Sequence, residues 1–339
     1  MDAVFPPKKI LCLLLINLWW GCTFQSNTEI YQQRRNNIVS VKNELQEIDL
    51  GDVLAGQFAR LYCLNDYLII ADARSYDKQI HIFNANDFSH LASVADRGQG
   101  PEEIASLGFI GVNEKKNEFY VSDHGKQQIF CYNMDSILGN PRYKPSVKMK
   151  MNERQFPQNY QVINDSLWMG VIIEPTGNSG FVNMIATINA STGEIKPMRY
   201  HHPEIEKKRV SFAMSELQDF YVECYHYHDL MTILNMDGSI KKNIYGRKWN
   251  PTETNKYGFY VDVKIGNEMI VASFSDGKDR FSKTKYSDLP TQYLIFNRNG
   301  DYLKTLETDY PIMDFCYDKV NNRIIMHLND EKQFTFFEF

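Results

Sequence analysis

Basic charge is not in excess in this 339-residue chain: 37 Lys and Arg face 42 Asp and Glu, for a formal net charge of −5. That balance argues against a dedicated nucleic-acid binder, which needs a basic face to displace counterions. Its 19 glycines and 12 prolines make up about 9% of the chain, which excludes a collagen-like or Pro/Gly-rich disordered protein. Long apolar runs are scarce too. The most prominent, residues 10–20, is too short to span a bilayer. There is no Gly-x-Ser-x-Gly elbow and no P-loop, and Gly98-Gln99-Gly100 lacks the third glycine and following helix of a dinucleotide site. The six cysteines contain no CxxC pair, which speaks against a zinc site. With 43% apolar and 23% charged residues, the chain can bury one large core or two modest ones.

The start of the chain has an address. Lys8-Lys9 precedes the apolar run, the layout of a secretory signal over residues 1–21. Gly21-Cys22 ends that run before a polar segment opens at Thr23. A small residue ahead of a Cys at this point resembles the bacterial lipobox, which implies lipidation of Cys22 and a membrane anchor. The other reading is an ordinary signal peptide with Cys22 incidental. Residues 22–45 are polar without a clear period and read as a tether. No acidic cluster follows Cys22 before Glu29, which favours the periplasm-facing side of the outer membrane.

A repeat of about fifty residues fills the remainder. Six β-rich cores stand out: Leu68-Ile69-Ile70, Phe119-Tyr120-Val121, Leu167-Trp168-Met169, Phe220-Tyr221-Val222, Met269-Ile270-Val271 and Arg323-Ile324-Ile325, their last residues 51, 48, 53, 49 and 54 apart. A second strand ending in Asn follows five of them, at Asn84, Asn133, Asn189, Asn235 and Asn297. Ser191-Thr192-Gly193, Asp237-Gly238 and Asn299-Gly300 then supply turn chemistry. No comparable stretch shows a helical period, so the chain is all-β. Units of this size match a propeller blade of four strands, and blades bury their faces only by stacking around an axis. Six fit the length; a seventh does not.

The last unit ends at Phe339 without its outermost strand. Leu45-Gln46-Glu47-Ile48-Asp49-Leu50 has strand-like alternation and is expected to pair with it, closing a six-bladed propeller over residues 46–339 and removing an exposed edge. Trimming residues 46–50 should then destabilise the whole protein, and trimming 23–35 should not.

Tyr120-Val121-Ser122-Asp123-His124-Gly125-Lys126-Gln127-Gln128-Ile129 resembles an NHL-type repeat, as does Ile69-Ile70-Ala71-Asp72 followed by Gln79-Ile80-His81-Ile82-Phe83. Asp96-Arg97-Gly98-Gln99-Gly100-Pro101-Glu102-Glu103 is similar to the loop after the first blade of TolB-like six-bladed propeller lipoproteins of Gram-negative bacteria. The resemblance covers roughly residues 45–339 and implies a six-bladed propeller in the cell envelope; units three to six lack the Asp after the core.

Several residues are candidates for a site, each with a plainer reading beside it. The loop at 97–103 links two blades, and its glycines and proline give it a defined shape; at a channel mouth Arg97, Gln99, Glu102 and Glu103 could face a ligand, or the loop could only build the crossing. Arg247 and Trp249 sit at the corresponding place after the fourth unit and could form a recognition patch. Asp72, Asp123 and Asp276 lie near strand cores and could converge on the axis to hold Ca²⁺, as in six-bladed sugar-lactone hydrolases; each could instead stabilise its own turn. His226 and His228 would share one face of a strand as a two-His metal edge, or occupy a polar turn. Cys63 and Cys316 fall on inner strands of ring neighbours, where either a disulfide or two buried thiols would fit.

Two functions follow from different classes. One is a non-catalytic envelope lipoprotein, with no cofactor, that binds a protein, peptide or carbohydrate at a channel mouth. The other is a Ca²⁺-dependent hydrolase acting through the central tunnel. Three or more carboxylates and His converging on the axis would favour the enzyme.

Overall fold

Why the repeat makes blades is visible in its third strands. In the computed structural model, which describes residues 28–177, 180–215, 217, 219–252, 255–282 and 288–339, the third strands of blades 1 to 5 end on the recurring Asn. Its side chain ties the turn that follows. Asn84 Oδ1 accepts from Asn86 N (2.8 Å), Asn133 from Ser136 N (2.9 Å), Asn189 from Ser191 N (3.0 Å) and Asn297 from Asn299 N (2.9 Å), while Asn235 donates to Ser239 Oγ (2.7 Å). Gly193, Gly238 and Gly300 close three of these turns at positive φ, where a Cβ would be strained.

The result is a six-bladed β-propeller. Blade 1 comprises Arg60–Leu64, Tyr67–Ala71, Lys78–Asn84 and His90–Asp96. Blade 2 comprises Leu107–Asn113, Glu118–Asp123, Gln128–Asn133 and Ser146–Lys150, with a short helix, Met134–Gly139, before its last strand. Blade 3 comprises Phe156–Val162, Leu167–Pro175, Phe181–Asn189 and Ile195–Pro197. Blade 4 comprises Val210–Ser215, Phe220–Tyr225, Leu230–Asn235 and Ile240–Tyr245. Blade 5 comprises Tyr257–Ile265, Met269–Asp279, Gln292–Asn297 and Tyr302–Glu307, and blade 6 Ile312–Asp318, Arg323–Leu328 and Phe334–Glu338. All six expected cores fall in second strands, and first strands of neighbouring blades meet around the axis. Apolar faces pack blade on blade; Trp168, fully buried, stacks on Tyr120 of blade 2 and Tyr160 of its own blade, both at 4.9 Å.

The N-terminal segment completes the last blade, as its alternation suggests. Gln46–Glu47 pairs antiparallel with Phe336 and Thr335, and Ile48 N donates to Phe334 O at 2.9 Å. Arg323 adds a polar tie across this joint, pairing with Asp318 at 3.0 Å and donating to the Ala85 carbonyl of blade 1.

Residues 28–45 depart from the tether reading. Glu29–Tyr31 adds a fifth, parallel strand to the outer edge of blade 4, and Ile38–Ser40 does the same on blade 5. Between them Arg35 is buried between the two blades: it pairs with Asp229 Oδ1 at 2.7 Å, donates to Tyr260 OH at 3.2 Å, and lies over Phe274 and Phe296. Glu29 accepts from Tyr245 OH and Asn243 Nδ2. Polar composition hid a belt whose polar groups are spent on specific partners. The leader at 1–21 and Cys22 lie outside the described residues.

Removing one partner of a buried ion pair strands the other and costs about 3 kcal/mol. Arg35→Ala should therefore lower the melting midpoint by about 5 °C, and deleting residues 28–40 should lower it further; an unchanged midpoint in differential scanning calorimetry would make the belt a passive tail.

Candidate functional site

The loop at 97–103 is shaped by its own glutamate. Glu103 folds back so that its carboxylate accepts from Gly100 N at 2.7 Å, and a Cβ on Gly98 or Gly100 would run into that carboxylate. Neither glycine has positive φ; they are needed for close approach rather than for a left-handed turn. Lys126 of blade 2 donates to the carbonyls of Gly100 and Glu103, and Gln79 donates to Ile104 O at 2.9 Å. Glu103 is thus spent on structure. Glu102 pairs with Lys144 at 2.6 Å, the exposed Arg97 donates to Ser75 O at 3.3 Å, and Gln99 is exposed.

The loop was expected at a channel mouth; the cavity it lines lies beside the outer strand of blade 1. The loop packs on the end of that strand and faces the segment after the blade 2 helix. Together these walls enclose a groove of about 500 Å³, lined by Val94, Pro101, Glu102, Tyr132, Tyr143 and Lys144 among others. Three prolines, Pro101, Pro141 and Pro145, stiffen its rim. The Tyr132 hydroxyl is buried there with no hydrogen-bond partner among the described residues, and burial pushes its pKa up. Among the described residues the bordering strand, His90–Asp96, has a strand neighbour on one edge only.

The channel holds a second cluster, which the sequence reading missed. Asp262 and Asp314 occupy first strands of adjacent blades, opposite Ser273 and His327. Lys264 pairs with Asp262 at 2.7 Å, and Asp314 accepts from Leu61 N of blade 1 at 2.7 Å. Arg60 and Tyr62 of blade 1 complete the group; Arg60 reaches solvent inside the ring. Burial raises the Asp314 pKa to about 6, with Asp262 adding to the rise and Lys264 and Arg60 opposing it. Burial also lifts Tyr62 to about 12. The signal was legible: Val261-Asp262-Val263-Lys264-Ile265 alternates, placing both charges on one face of a strand.

The carboxylates considered for Ca²⁺ do not converge on the axis. Asp72 accepts from Gly56 N and Arg74 N, both at 2.8 Å. Asp123 accepts from the backbone N–H of Ala105, Ser106, Gly125 and Lys126 at 2.9 to 3.2 Å. Each fastens its turn to the incoming crossing, which is what an Asp after the core does here. Asp276 pairs with Lys248 at 3.0 Å from a half-buried, irregular stretch of the second strand of blade 5. His226 and His228 part ways: His226 Nε2 meets Ser211 Oγ at 2.9 Å, whereas His228 Nδ1 faces Asn250 O at 3.1 Å and its ring packs on Tyr225 and Trp249. The chain turns between them, so strand alternation does not apply. Among the described residues no three His, Cys, Asp or Glu side chains sit close enough to hold a metal ion. Trp249 is half-buried against His202 and Tyr245, and Arg247 is exposed.

Burial between Ser211 and blade 5 holds His226 down to about 4. An unfolded histidine titrates near about 6.5 and an aspartate near about 3.9. His226 therefore contributes stability above pH 6.5 that is lost as pH falls through 4. Asp314, raised to about 6, contributes stability below pH 4 that is lost as pH rises through 6. Their slopes oppose each other between pH 4 and 6. Asp314→Asn should accordingly make the melting midpoint fall more steeply on acidification than in the wild type; parallel curves would mean that Asp314 titrates normally.

The comparisons with known proteins agree with the fold. A family model, DUF5128, described as a 6-bladed beta-propeller, matches residues 50–155. Among solved structures, a member of the DUF4221 family from Bacteroides vulgatus superposes with a TM-score of 0.60 at 12% identity, covering 87% of this chain and 98% of its own. A protein from Bacteroides fragilis, whose description offers export as a suggestion, superposes at 0.52 with 10% identity, covering 88% and 87%. No curated protein matches the sequence. Among the described residues no helix is long and apolar enough to cross a membrane.

Proposed function

We propose that this chain is an exported lipoprotein, anchored through Cys22, whose rim groove between blades 1 and 2 binds an extended segment of a partner polypeptide without catalysis. The observation that carries the reading is the groove itself: a strand with one free edge, proline and tyrosine walls, charges of both signs, and the unpartnered Tyr132 hydroxyl. Free strand edges recruit strands, and pockets beside them read alternate side chains. The same ring already takes parallel strands at this position, since blades 4 and 5 each accept one from residues 29–31 and 38–40. A polypeptide is favoured over a carbohydrate on that ground.

Anchoring would also orient the molecule. Seven residue steps separate Cys22 from Glu29, a reach of at most about 25 Å. Blade 4 would then face the bilayer, and blade 1, three blades round the ring, would turn its groove away from it.

Cys22→Ala should move the protein from the membrane to the soluble fraction after cell breakage; retention on the membrane would remove the anchor. For the groove, peptides selected from a random display library against the full chain should protect the amides of residues 92–96 from hydrogen exchange. Val94→Pro and Lys144→Glu should each weaken them at least tenfold. Selected peptides that bind elsewhere, or an oligosaccharide from a glycan array that occupies the groove instead, would overturn the polypeptide reading.

A further inference from the structure

The ring closes through little backbone. Gln46–Glu47 is the whole of the strand that completes blade 6, whereas the first three blades each carry a continuous outer strand of their own. On the channel side, first strands of neighbouring blades share no ladder among the described residues, so the hydrogen bonds that join blade 6 to blade 1 there run through side chains. Leu61 N donates to Asp314 Oδ2 at 2.7 Å, and two residues further along both strands Cys63 Sγ lies 2.8 Å from Cys316 Sγ. Both pairs are 253 residues apart in sequence. The two strands therefore run in constant register, and the two-residue period brings each cysteine to the side that faces the other.

We propose that Cys63 and Cys316 form a disulfide that clasps the propeller between its first and last blades. Two sulfur atoms at 2.8 Å are closer than unbonded contact allows, and a covalent bond is the arrangement that suits them. The surroundings would accept it without repacking: Leu61, Leu68, Ile325, Phe334 and Phe336 enclose the pair in one apolar cluster. Of the four described cysteines, Cys131 and Cys224 lie on blades 2 and 4, and neither has a sulfur partner among the described residues. Burial and the neighbouring sulfur hold the Cys316 thiol well above its ordinary pKa, while Cys63 is less buried and is the sulfur an oxidant reaches first.

The chemistry is thiol–disulfide exchange. The Cys63 thiolate attacks a disulfide oxidant, either a thiol oxidase or oxidised glutathione, and the oxidant's S–S bond breaks to release one thiol. Cys316 then gives up its proton and attacks Cys63 Sγ, and the second thiol departs. The two cysteines lose two electrons and two protons, and the oxidant is reduced to two thiols. In the cell, the oxidant draws on the export reading above; the bond itself does not.

The test uses the purified full-length chain, reduced and then incubated with oxidised glutathione. Denaturing alkylation followed by mass spectrometry should show two fewer modified cysteines, and a peptide map should link Cys63 to Cys316. The oxidised protein should melt about 5 °C above the reduced one, and Cys63→Ser or Cys316→Ser should abolish the difference. Should either variant fail to fold, the wild-type map and the effect of dithiothreitol on its midpoint decide alone. Full alkylation after oxidation, or a link between other cysteines, would overturn the clasp. A bond formed in vitro but reduced in protein from its native cell would keep the clasp and sink export.

Discussion

Closure of the ring is the constraint on which the rest depends. A blade exposes two apolar faces, and each is buried only by the neighbour on that side. The inner strands share no backbone ladder across the axis, so a ring that opens at one joint leaves two blades each with a wet face. The joint between blades 1 and 6 is where chain continuity helps least, because blade 6 is assembled from the two ends of the chain. Three features converge there: the pairing of Gln46–Glu47, the reach of Arg323 from its Asp318 partner to the Ala85 carbonyl, and the contact of Leu61 with Asp314. Each acts at a different radius, so no single slip opens the seam.

The belt of residues 28–47 extends the same logic round half the circumference. Strands three residues long, such as Glu29–Tyr31 and Ile38–Ser40, have too few ladder bonds to fix their own register. A one-residue slip would turn each side chain to the opposite face. Polar anchors remove that freedom. Arg35 must meet Asp229 and Tyr260, and Glu29 must meet Asn243 and Tyr245; displaced by one position, each would leave buried groups unsatisfied at about 1–3 kcal/mol apiece. A buried ion pair adds little net stability relative to an apolar pair but penalises wrong arrangements heavily, which is the property a short edge strand needs.

Blade number and the borrowed edge were legible because they rest on local, repeated chemistry. The Asn ending the third strands of blades 1 to 5 ties a turn two to four residues away, and each apolar core fills a second strand; both recur at intervals near fifty residues. The belt was not legible. Arg35 finds Asp229 across 194 residues, and nothing in a polar segment marks which of its charges will be buried. That Gly98 and Gly100 shape the loop was legible, but not how: the Glu103 carboxylate lies over their backbone and excludes a side chain, while neither has a positive φ. His226 and His228 were misplaced because strand alternation was extended past Tyr225, where the strand ends.

The same distribution of bonds bears on where a partner can bind. Three donors and acceptors on the inner strands are engaged by neighbouring blades: Leu61 N by Asp314, Met214 N by Gln161, and the Val261 carbonyl by Ser211. A ligand entering the channel would have to compete with contacts that join one blade to the next, so binding there would tax the closure on which the fold depends. The outer strand of blade 1 has no such duty. Its free edge can be occupied or emptied without breaking those inner-strand contacts, whereas the corresponding edges of blades 4 and 5 are filled by the belt. Recognition at the rim separates what holds the ring together from what the ring can hold.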